Sequence, residues 1–230
     1  IMTAHRPLVR EVNAVFDFIE KPYTPVNFKE LLVSPNDMRK RLIALINKEI
    51  KNKEQGKEAY ILAKVNHITD RALIEKLYEA STAGVQVELV VRGNCSLVTG
   101  IAGISENIHI NGIIDRYLEH SRIFIFANGG EEKYYIGSAD WMPRNLDNRI
   151  EVLAPVYDKE IQADLKRIVC YGYRDTAKGR IVDGTGENRP WENRPSTLCK
   201  NFTPALAEAE TATVVFRSQE ELYRKYKNTL

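Results

Sequence analysis

Between residues 31 and 91 the sequence alternates short apolar runs with segments whose apolar residues recur at helical spacing, and this alternation is the strongest constraint on the fold. The runs are rich in valine, isoleucine and leucine, which is typical of buried strands. In chain order, the strand and helix segments are 31–33, 34–50, 60–65, 70–83 and 85–91. An order of strand, helix, strand, helix, strand predicts a parallel sheet that is covered by helices.

The pattern changes after residue 91, where short strand segments follow one another with little room for helices between them. These segments are 108–114, 122–127, 133–137 and 149–154. Asn128-Gly129-Gly130 is typical of a hairpin turn. The sequence therefore predicts an α/β fold with a mixed, partly parallel sheet flanked by helices. We also expect a helix at 8–20, a closing helix at 158–172, a loop at 179–203, a strand at 211–216 and a last helix at 218–227.

The composition is that of an ordinary globular domain. The hydrophobic share is 43%, the charged share is 28% and the net charge is only +2, so a general nucleic-acid-binding surface is not indicated. No apolar run approaches the length of a membrane-spanning helix. Cys95, Cys170 and Cys199 show no paired spacing and no secretory signal pattern is visible, so we expect reduced thiols in a cytoplasmic protein.

His120 and Arg122 stand two residues apart at the start of a strand segment, and Ser138 follows in a Gly-Ser turn at the end of the next one. Residues two apart on a strand face the same way, which predicts that the imidazole and the guanidinium share one side. The turn can bring a hydroxyl and backbone N–H groups to the same place. An imidazole can exchange a proton or a phosphoryl group while an arginine holds phosphate oxygens. The pattern therefore favours phosphate chemistry, with only half of a site present.

Further polar residues follow the strands that we expect to be parallel. Lys64 and Asn66 close the second strand segment, and Arg92 ends the third, with Gly93 permitting close approach of the backbone. Ligand sites in open α/β sheets lie beyond the carboxyl ends of parallel strands. If the later strands join the same sheet, these side chains meet the imidazole and the hydroxyl. Such a pocket suits a phosphate chain and suits an apolar ligand poorly.

Each of these residues also has a structural interpretation. His120 can be a hydrogen-bonded histidine without a role in chemistry, Arg92 can pair with a carboxylate, and Lys64 can be a solvated strand end. The neighbouring Arg122 and the Gly-Ser turn favour the chemical interpretation of His120.

Two carboxylates near these residues allow more than one role. Glu151 lies in an otherwise apolar strand segment with Arg149 on the same face. A buried carboxylate must be paired, so an ion pair is as well supported as a role in orienting His120. Asp140 can simply shape the turn. Cys95 has no base beside it in sequence and is expected to be a small buried residue, and the sequence shows neither zinc-ligand spacing nor a Walker phosphate loop.

Several stretches of the sequence resemble one known family in the same order along the chain. They are VVRGNCSL at 90–97, IIDRYLEHSR at 113–122, GSADWMPRNLD at 137–147, RIE at 149–151, KVN at 64–66 and EKPYTP at 20–25. Together they resemble the last part of the bacterial, long-chain type of polyphosphate kinase, from about residue 8 to residue 182.

That resemblance implies a division of the chain. The family carries two phospholipase D-like domains at its C-terminal end, and this chain is similar to the second. Residues 1–28 are then a helix and connector from the upstream domain, 29–182 the second phospholipase D-like catalytic domain, and 183–230 a C-terminal extension. We expect the start of the chain to be a cut through a longer protein. His120-Ser121-Arg122 stands for the family element H-x-K, and Gly137-Ser138-Ala139-Asp140 stands for G-S-x-N, with Arg122 replacing lysine and Asp140 replacing asparagine.

The resemblance also implies a reaction. Members of the family transfer the γ-phosphate of ATP reversibly to a growing polyphosphate chain through a phosphohistidine, which the upstream domain holds. His120 is then the second histidine, a general acid or base or a phosphate-binding partner. The residues expected to bind ATP or phosphate are Arg92, His120, Arg122, Lys64, Asn66 and Ser138. Glu151 and Asp140 are expected to orient these groups or to have a structural role.

Cofactors and partners follow from the same resemblance. Mg²⁺ is expected in the full-length enzyme with its ligands mainly upstream, so this chain should hold none of the main metal ligands. The expected partners are ATP or ADP, inorganic polyphosphate, the upstream domains and, at full length, further copies of the same protein, but no nucleic acid. Since phosphoryl transfer needs both halves of the site, the isolated chain should be inactive or nearly so.

Two other interpretations stay open. One is a single-motif phospholipase D-like nuclease or phosphodiesterase that builds its site across a homodimer, with His120 as nucleophile near a two-fold axis. The other is a noncatalytic module that binds polyanions or mediates oligomerisation. A molecular mass and a DNase assay test the first, and saturable polyphosphate binding that does not need His120 favours the second.

Overall fold

The computed structural model describes residues 2–23, 25–192, 196–202 and 215–227. In these ranges the strands form a single sheet in the order β1-β7-β6-β5-β2-β3-β4-β8. The strands are β1 Leu32–Ser34, β2 Tyr60–Val65, β3 Gln86–Val91, β4 Ile108–Ile113, β5 Ile123–Phe126, β6 Lys133–Gly137, β7 Glu151–Val156 and β8 Gly179–Ile181. Strands β2, β3 and β4 are parallel, and the other neighbours are antiparallel. The predicted mixed, partly parallel sheet is confirmed, but the run at 31–33, expected among the parallel strands, forms β1 at the far edge and pairs antiparallel with β7.

Helices cover both faces of the sheet. They are α1 Arg6–Glu20, α2 Met38–Glu54, α3 Arg71–Thr82, α4 Lys159–Tyr173 and α5 Ser218–Lys227. Alternate residues of a strand point to opposite faces, so Ile61 and Ala63 of β2 pack in the cluster that contains α2 and α3. Leu62 packs in the second cluster, with Val169 of α4. A third cluster joins α1 to the sheet edge that β1 and β7 form. No helix within the described ranges is long and apolar enough to cross a lipid bilayer.

The later part of the chain differs from the prediction in two places. Residues 179–181, expected as loop, form the edge strand β8 and pair with β4. The pairing depends on glycine, because a Cβ at Gly179 would lie 2.1 Å from the carbonyl oxygen of Asp175. A three-residue strand in a Gly-rich and Arg-rich stretch carries no periodic signal. The strand expected at 211–216 falls mainly outside the described residues, while the helix expected at 218–227 is confirmed.

The prediction that all three cysteines are reduced is wrong for two of them. Cys170 of α4 and Cys199 form a disulfide across a sequence separation of 29 residues. Both side chains are buried in the cluster between α4 and the sheet. Spacing could not reveal this pair, because only the fold brings residues 196–202 against α4. Cys95 is a free thiol.

A buried glutamate lies beside this disulfide. Glu88 of β3 is 5% exposed, and its Oε2 accepts a hydrogen bond from the Ser196 hydroxyl at 2.7 Å. Burial raises the pKa of Glu88 to about 7 from its ordinary 4.5. Burial likewise raises the pKa of Glu49, on α2, to about 7. Each folded-state carboxyl therefore keeps its proton over a pH range in which the unfolded chain has lost it.

Glu88 should make stability fall as pH rises from about 4.5 to about 7, because the folded state binds more protons there than the unfolded state. Glu88→Gln keeps an acceptor for Ser196 and removes the titration. We expect the variant to be more stable than the unsubstituted chain at pH 8 by on the order of 2–3 kcal/mol and about equally stable at pH 4.5. Urea unfolding at both pH values measures this, with the exposed Glu106→Gln as control. Equal gains at both pH values would contradict the assignment.

Candidate functional site

The sheet topology brings one end of each of five strands, β2, β3, β5, β6 and β7, to the same edge of the sheet. Val65 at the end of β2 lies beside Val91 at the end of β3. Strand β5 runs antiparallel to β2, so its first residue, Ile123, lies opposite Lys64. Strand β6 returns beside β5 and ends at Gly137, opposite Leu153 near the start of β7. The residues predicted from the ends of parallel strands and those predicted from the later turns are therefore brought to one edge.

Asp140 lies at the centre of the hydrogen bonds at this edge. Its Oδ2 accepts from Nη2 of Arg122 at 3.0 Å, and its Oδ1 accepts from Nε of Arg122 at 3.2 Å, so the two side chains form a two-point ion pair. Oδ1 also accepts the backbone N–H of Asn66 at 2.8 Å. The Asp140 side chain is 4% exposed and that of Arg122 is 13% exposed. Asp140 thus joins the end of β2 to the start of β5, which is more than the shaping of a turn.

Asn66 extends this network to Arg92. Its Oδ1 accepts from Nε of Arg92 at 3.0 Å, and its Nδ2 donates to Oδ2 of Asp140 at 3.4 Å. Arg92 is half-buried, and within the described ranges it makes no ion pair with a carboxylate. The alternative interpretation, in which Arg92 pairs with a carboxylate, is therefore wrong for the described residues. Its positive charge remains available to an anion.

The close approach predicted at Gly93 is observed, but the group that lies against Gly93 is the side chain of His67. A Cβ at Gly93 would lie 2.5 Å from Cε1 of His67. The Nδ1 atom of His67 accepts the backbone N–H of Asn94 at 2.9 Å. His67 therefore fixes the turn after β3, which carries Arg92.

His120 and Arg122 lie just before β5 and not within it, which corrects the prediction that they share one face of a strand. The side chain of Arg122 turns to Asp140, whereas His120 is exposed. Nη1 of Arg122 donates to the carbonyl oxygen of His120 at 2.9 Å. Arg122 thus holds the backbone of the histidine. Within the described part of the chain the imidazole of His120 makes no hydrogen bond. The alternative interpretation of His120 as a hydrogen-bonded structural histidine is therefore not supported.

Lys64 is not a solvated strand end. It is 5% exposed, and its ammonium is bonded to a carboxylate oxygen of Glu119, the residue before His120. This partner neutralises the lysine, so a phosphate would have to compete with Glu119 for it. The observed contact instead makes Lys64 a support for the segment that carries the histidine.

Ser138 is exposed and lines a cavity of about 620 Å³ together with Ser121 and Arg122. Its backbone N–H donates to the carbonyl oxygen of Val152 at 3.2 Å, and its hydroxyl oxygen accepts from the N–H of Val152 at 3.3 Å. The expected free N–H group is therefore used in pairing with β7. Away from Arg122 the cavity walls are largely apolar, because Leu8 and other residues of α1, β7 and α4 line the cavity. This differs from the prediction of a pocket that suits a phosphate chain and suits an apolar ligand poorly.

Glu151 acts on the turn at Asp140 through Asn145, a residue of the stretch 137–147 for which the sequence analysis predicted no role of its own. Its Oε1 accepts from Nδ2 of Asn145 at 3.0 Å, and Oδ1 of Asn145 accepts the backbone N–H of Asp140 at 3.1 Å. Ser34 fixes the same turn by donating its hydroxyl to the carbonyl oxygen of Asn145 at 2.5 Å. Glu151 therefore neither pairs with Arg149, which is exposed, nor touches His120.

The remaining candidates have simpler roles. Cys95 is half-buried and not fully buried as expected, but desolvation raises the pKa of its thiol to about 11, so the thiol stays protonated and is not a nucleophile. The described residues include no group of three or more histidine, cysteine, aspartate or glutamate side chains that could hold a metal ion.

The sequence matches the family described as polyphosphate kinase C-terminal domain 2 over residues 31–200. The chain belongs to this family. The polyphosphate kinase of Vibrio vulnificus strain YJ016 is 48% identical over 183 residues, which are 80% of this chain and 26% of that protein. The polyphosphate kinase of Escherichia coli K12 is 46% identical over 189 residues, which are 82% of this chain and 28% of that protein. The chain thus spans roughly a quarter of the length of these relatives.

A solved structure agrees with the family assignment. The crystal structure of polyphosphate kinase from Porphyromonas gingivalis superimposes with a TM-score of 0.85 and 37% identity, covering 99% of this chain and 32% of that one. The resemblance to polyphosphate kinase is therefore confirmed. A phospholipase D family member, Nuc from Salmonella typhimurium, covers 67% of this chain with 17% identity and a TM-score of 0.48, too low to carry an argument.

Proposed function

We propose that this chain is the second phospholipase D-like domain of a polyphosphate kinase, with 29–182 as its catalytic part. The enzyme would transfer the γ-phosphate of ATP reversibly to inorganic polyphosphate, through a phosphohistidine on an upstream domain. The enzyme would act in the cytoplasm, where ATP is available. The observation that carries the proposal is the network Arg92–Asn66–Asp140–Arg122 beside the exposed His120, in a chain of this family.

The side chains divide between contact and support. Arg92 is free of a carboxylate partner among the described residues and neutralises phosphate oxygens. His120 donates a proton to the leaving phosphate oxygen, or accepts one in the reverse direction. Arg122, Asn66, Lys64 and Asp140 hold these two groups in place, and Ser138 lines the cavity beside Arg122. Mg²⁺, expected in the whole enzyme, supplies charge neutralisation at the phosphates, and its ligands would come mainly from outside this chain.

The first test compares the 230-residue chain with the complete reading frame that contains it. We expect ATP-dependent polyphosphate synthesis only from the complete protein, because a single half-site lacks the nucleophilic histidine. We also expect the chain alone to bind polyphosphate. Appreciable synthesis by the chain alone would contradict the division of the site, and absence of synthesis by the complete protein would contradict the function.

Binding by the chain alone tests the role of Arg92. We expect Arg92→Gln to weaken polyphosphate affinity about tenfold, the equivalent of 1.4 kcal/mol, measured by calorimetric titration at fixed salt. Arg71→Gln is the matched control, because Arg71 lies exposed on α3 and bonds only to Glu75 among the described residues. Equal affinities of the two variants would count against the phosphate contact. Binding that persists without Arg92 and His120, with no synthesis by the complete protein, would favour a noncatalytic polyanion-binding module.

A further inference from the structure

The segment that carries His120 is bonded to a residue about one hundred positions later in the chain. Oε1 of Gln219 accepts the backbone N–H of Tyr117 at 3.0 Å, and Nε2 of Gln219 donates to the carbonyl oxygen of Tyr117 at 2.8 Å. Nε2 also donates to Oε1 of Glu119 at 2.6 Å. The amide of Gln219 therefore pairs with the Tyr117 backbone as a neighbouring strand would, and it adds a bond to the residue before His120.

Gln219 is itself held to the body of the domain. The N–H and the hydroxyl of Ser218 both donate to Oδ2 of Asp175, each at 2.7 Å. The carbonyl oxygen of Phe216 accepts the N–H groups of Thr176 and Ala177 at 2.9 and 3.1 Å. These contacts fix the residues before α5 to the turn that follows α4. Gln219 thus connects a fixed part of the fold to the His120 segment.

A second contact holds the other end of the same segment. Arg217 donates from Nε and Nη2 to the two carboxylate oxygens of Asp115, at 2.9 and 2.7 Å. These hydrogen bonds lower the pKa of Asp115, whose side chain is 1% exposed. Residues 215–219, here called the C-terminal anchor, therefore bind the segment at both Asp115 and Tyr117.

The segment needs external support because it has little packing of its own. Residues 114–122 connect β4 to β5 without regular structure, and Ile114, Tyr117 and Leu118 are all exposed. An irregular segment with few buried side chains opens at low free energy. Glu119 and Arg122 make further links, with Oε1 of Glu119 bound to Gln219, its Oε2 bound to Lys64, and the guanidinium of Arg122 bound to Asp140. The position of the imidazole thus depends on bonds from outside the segment.

We propose that Gln219 is a positioning residue for His120 in phosphoryl transfer. It bonds to Tyr117 and Glu119 and not to the imidazole, so it acts through the backbone and does not take part in the chemistry. The inference rests on the function proposed above. It assigns the residues beyond 182 a role at the site, although they lie far from the site motifs in sequence.

The structural part of the inference is tested on the 230-residue chain by amide hydrogen exchange. We expect Gln219→Ala to raise exchange at the Tyr117 amide and its neighbours at least tenfold, since that amide loses its acceptor. Tyr223→Ala is the matched control, because Tyr223 lies on the same helix α5 and is 64% exposed. Unchanged exchange at Tyr117 in the Gln219 variant overturns the proposal.

The functional part is tested in the complete reading frame by steady-state kinetics. We expect Gln219→Ala to lower kcat for polyphosphate synthesis about 10- to 100-fold, because a displaced catalytic group lowers the rate of the chemical step. KM for ATP should change less than threefold, and Tyr223→Ala should leave both constants unchanged. Faster exchange with unchanged kcat overturns the positioning role and leaves the proposed function standing. Absence of synthesis by the unsubstituted protein removes the proposed function, and the positioning role with it.

Discussion

Asp140→Ala should lower the free energy of unfolding by about 3–5 kcal/mol, because it leaves the guanidinium of Arg122 buried without a counter-charge. The same substitution leaves the N–H of Asn66 without its acceptor. Urea unfolding followed by circular dichroism measures the loss. Asp140→Asn keeps an acceptor for the N–H of Asn66 but removes the charge and replaces the second acceptor oxygen by an NH2 donor, so its loss should lie between that of the alanine variant and zero.

Asp147→Ala is the matched control for this measurement. Asp147 also pairs with an arginine, Arg39, but its side chain is 46% exposed. A surface ion pair contributes about 0–1 kcal/mol, so the control should lose no more than that. If Asp140→Ala and Asp147→Ala are equally stable, Asp140 does not hold the site together in the way that its contacts indicate.

His120→Ala in the complete protein should lower the rate of polyphosphate synthesis by about 10²–10⁴-fold, the usual contribution of a general acid or base. The fold should be unaffected, because an exposed side chain outside a packed core changes stability by about 0.5 kcal/mol or less. The two readouts are the initial rate of polyphosphate formation from ATP and the thermal midpoint of the same preparation.

His5→Ala controls for the removal of an exposed imidazole elsewhere. His5 precedes α1 and packs edge-on against Tyr157. Its rate should match that of the unsubstituted protein. Turnover at the unsubstituted rate by His120→Ala would remove His120 from the mechanism.

Local sequence patterns predicted two of the three parallel strands, whereas the run at 31–33, also expected to be parallel, is the antiparallel edge strand β1, and β4 is the third parallel strand. The runs at 60–65 and 85–91 and the helical spacing between them correspond closely to β2, β3 and α3. These elements depend on side-chain periodicity and on burial of apolar strands, both of which are visible within a short window. The placement of Asn66 and Arg92 at the ends of these strands could be predicted for the same reason.

The contacts that hold the candidate site residues in place could not be predicted from the sequence. Glu119 directly precedes His120, yet its pairing with Lys64 joins positions that only the β2–β5 pairing brings together. Asn145 and Gln219 are amides in polar stretches, where many residue types are tolerated in an ordinary domain. Their importance depends on geometry between distant segments, which no local propensity encodes.

The bond between Cys170 and Cys199 makes a covalent ring that includes the exposed stretch 184–190. A protease that cuts once within this stretch would therefore not divide the polypeptide into separable pieces. The fragment that contains the C-terminal anchor would stay attached to helix α4, and its bonds to Asp115 and Tyr117 would survive the cut. Only a thiol reductant would release it, so the integrity of the His120 segment after nicking depends on the redox poise of the surroundings.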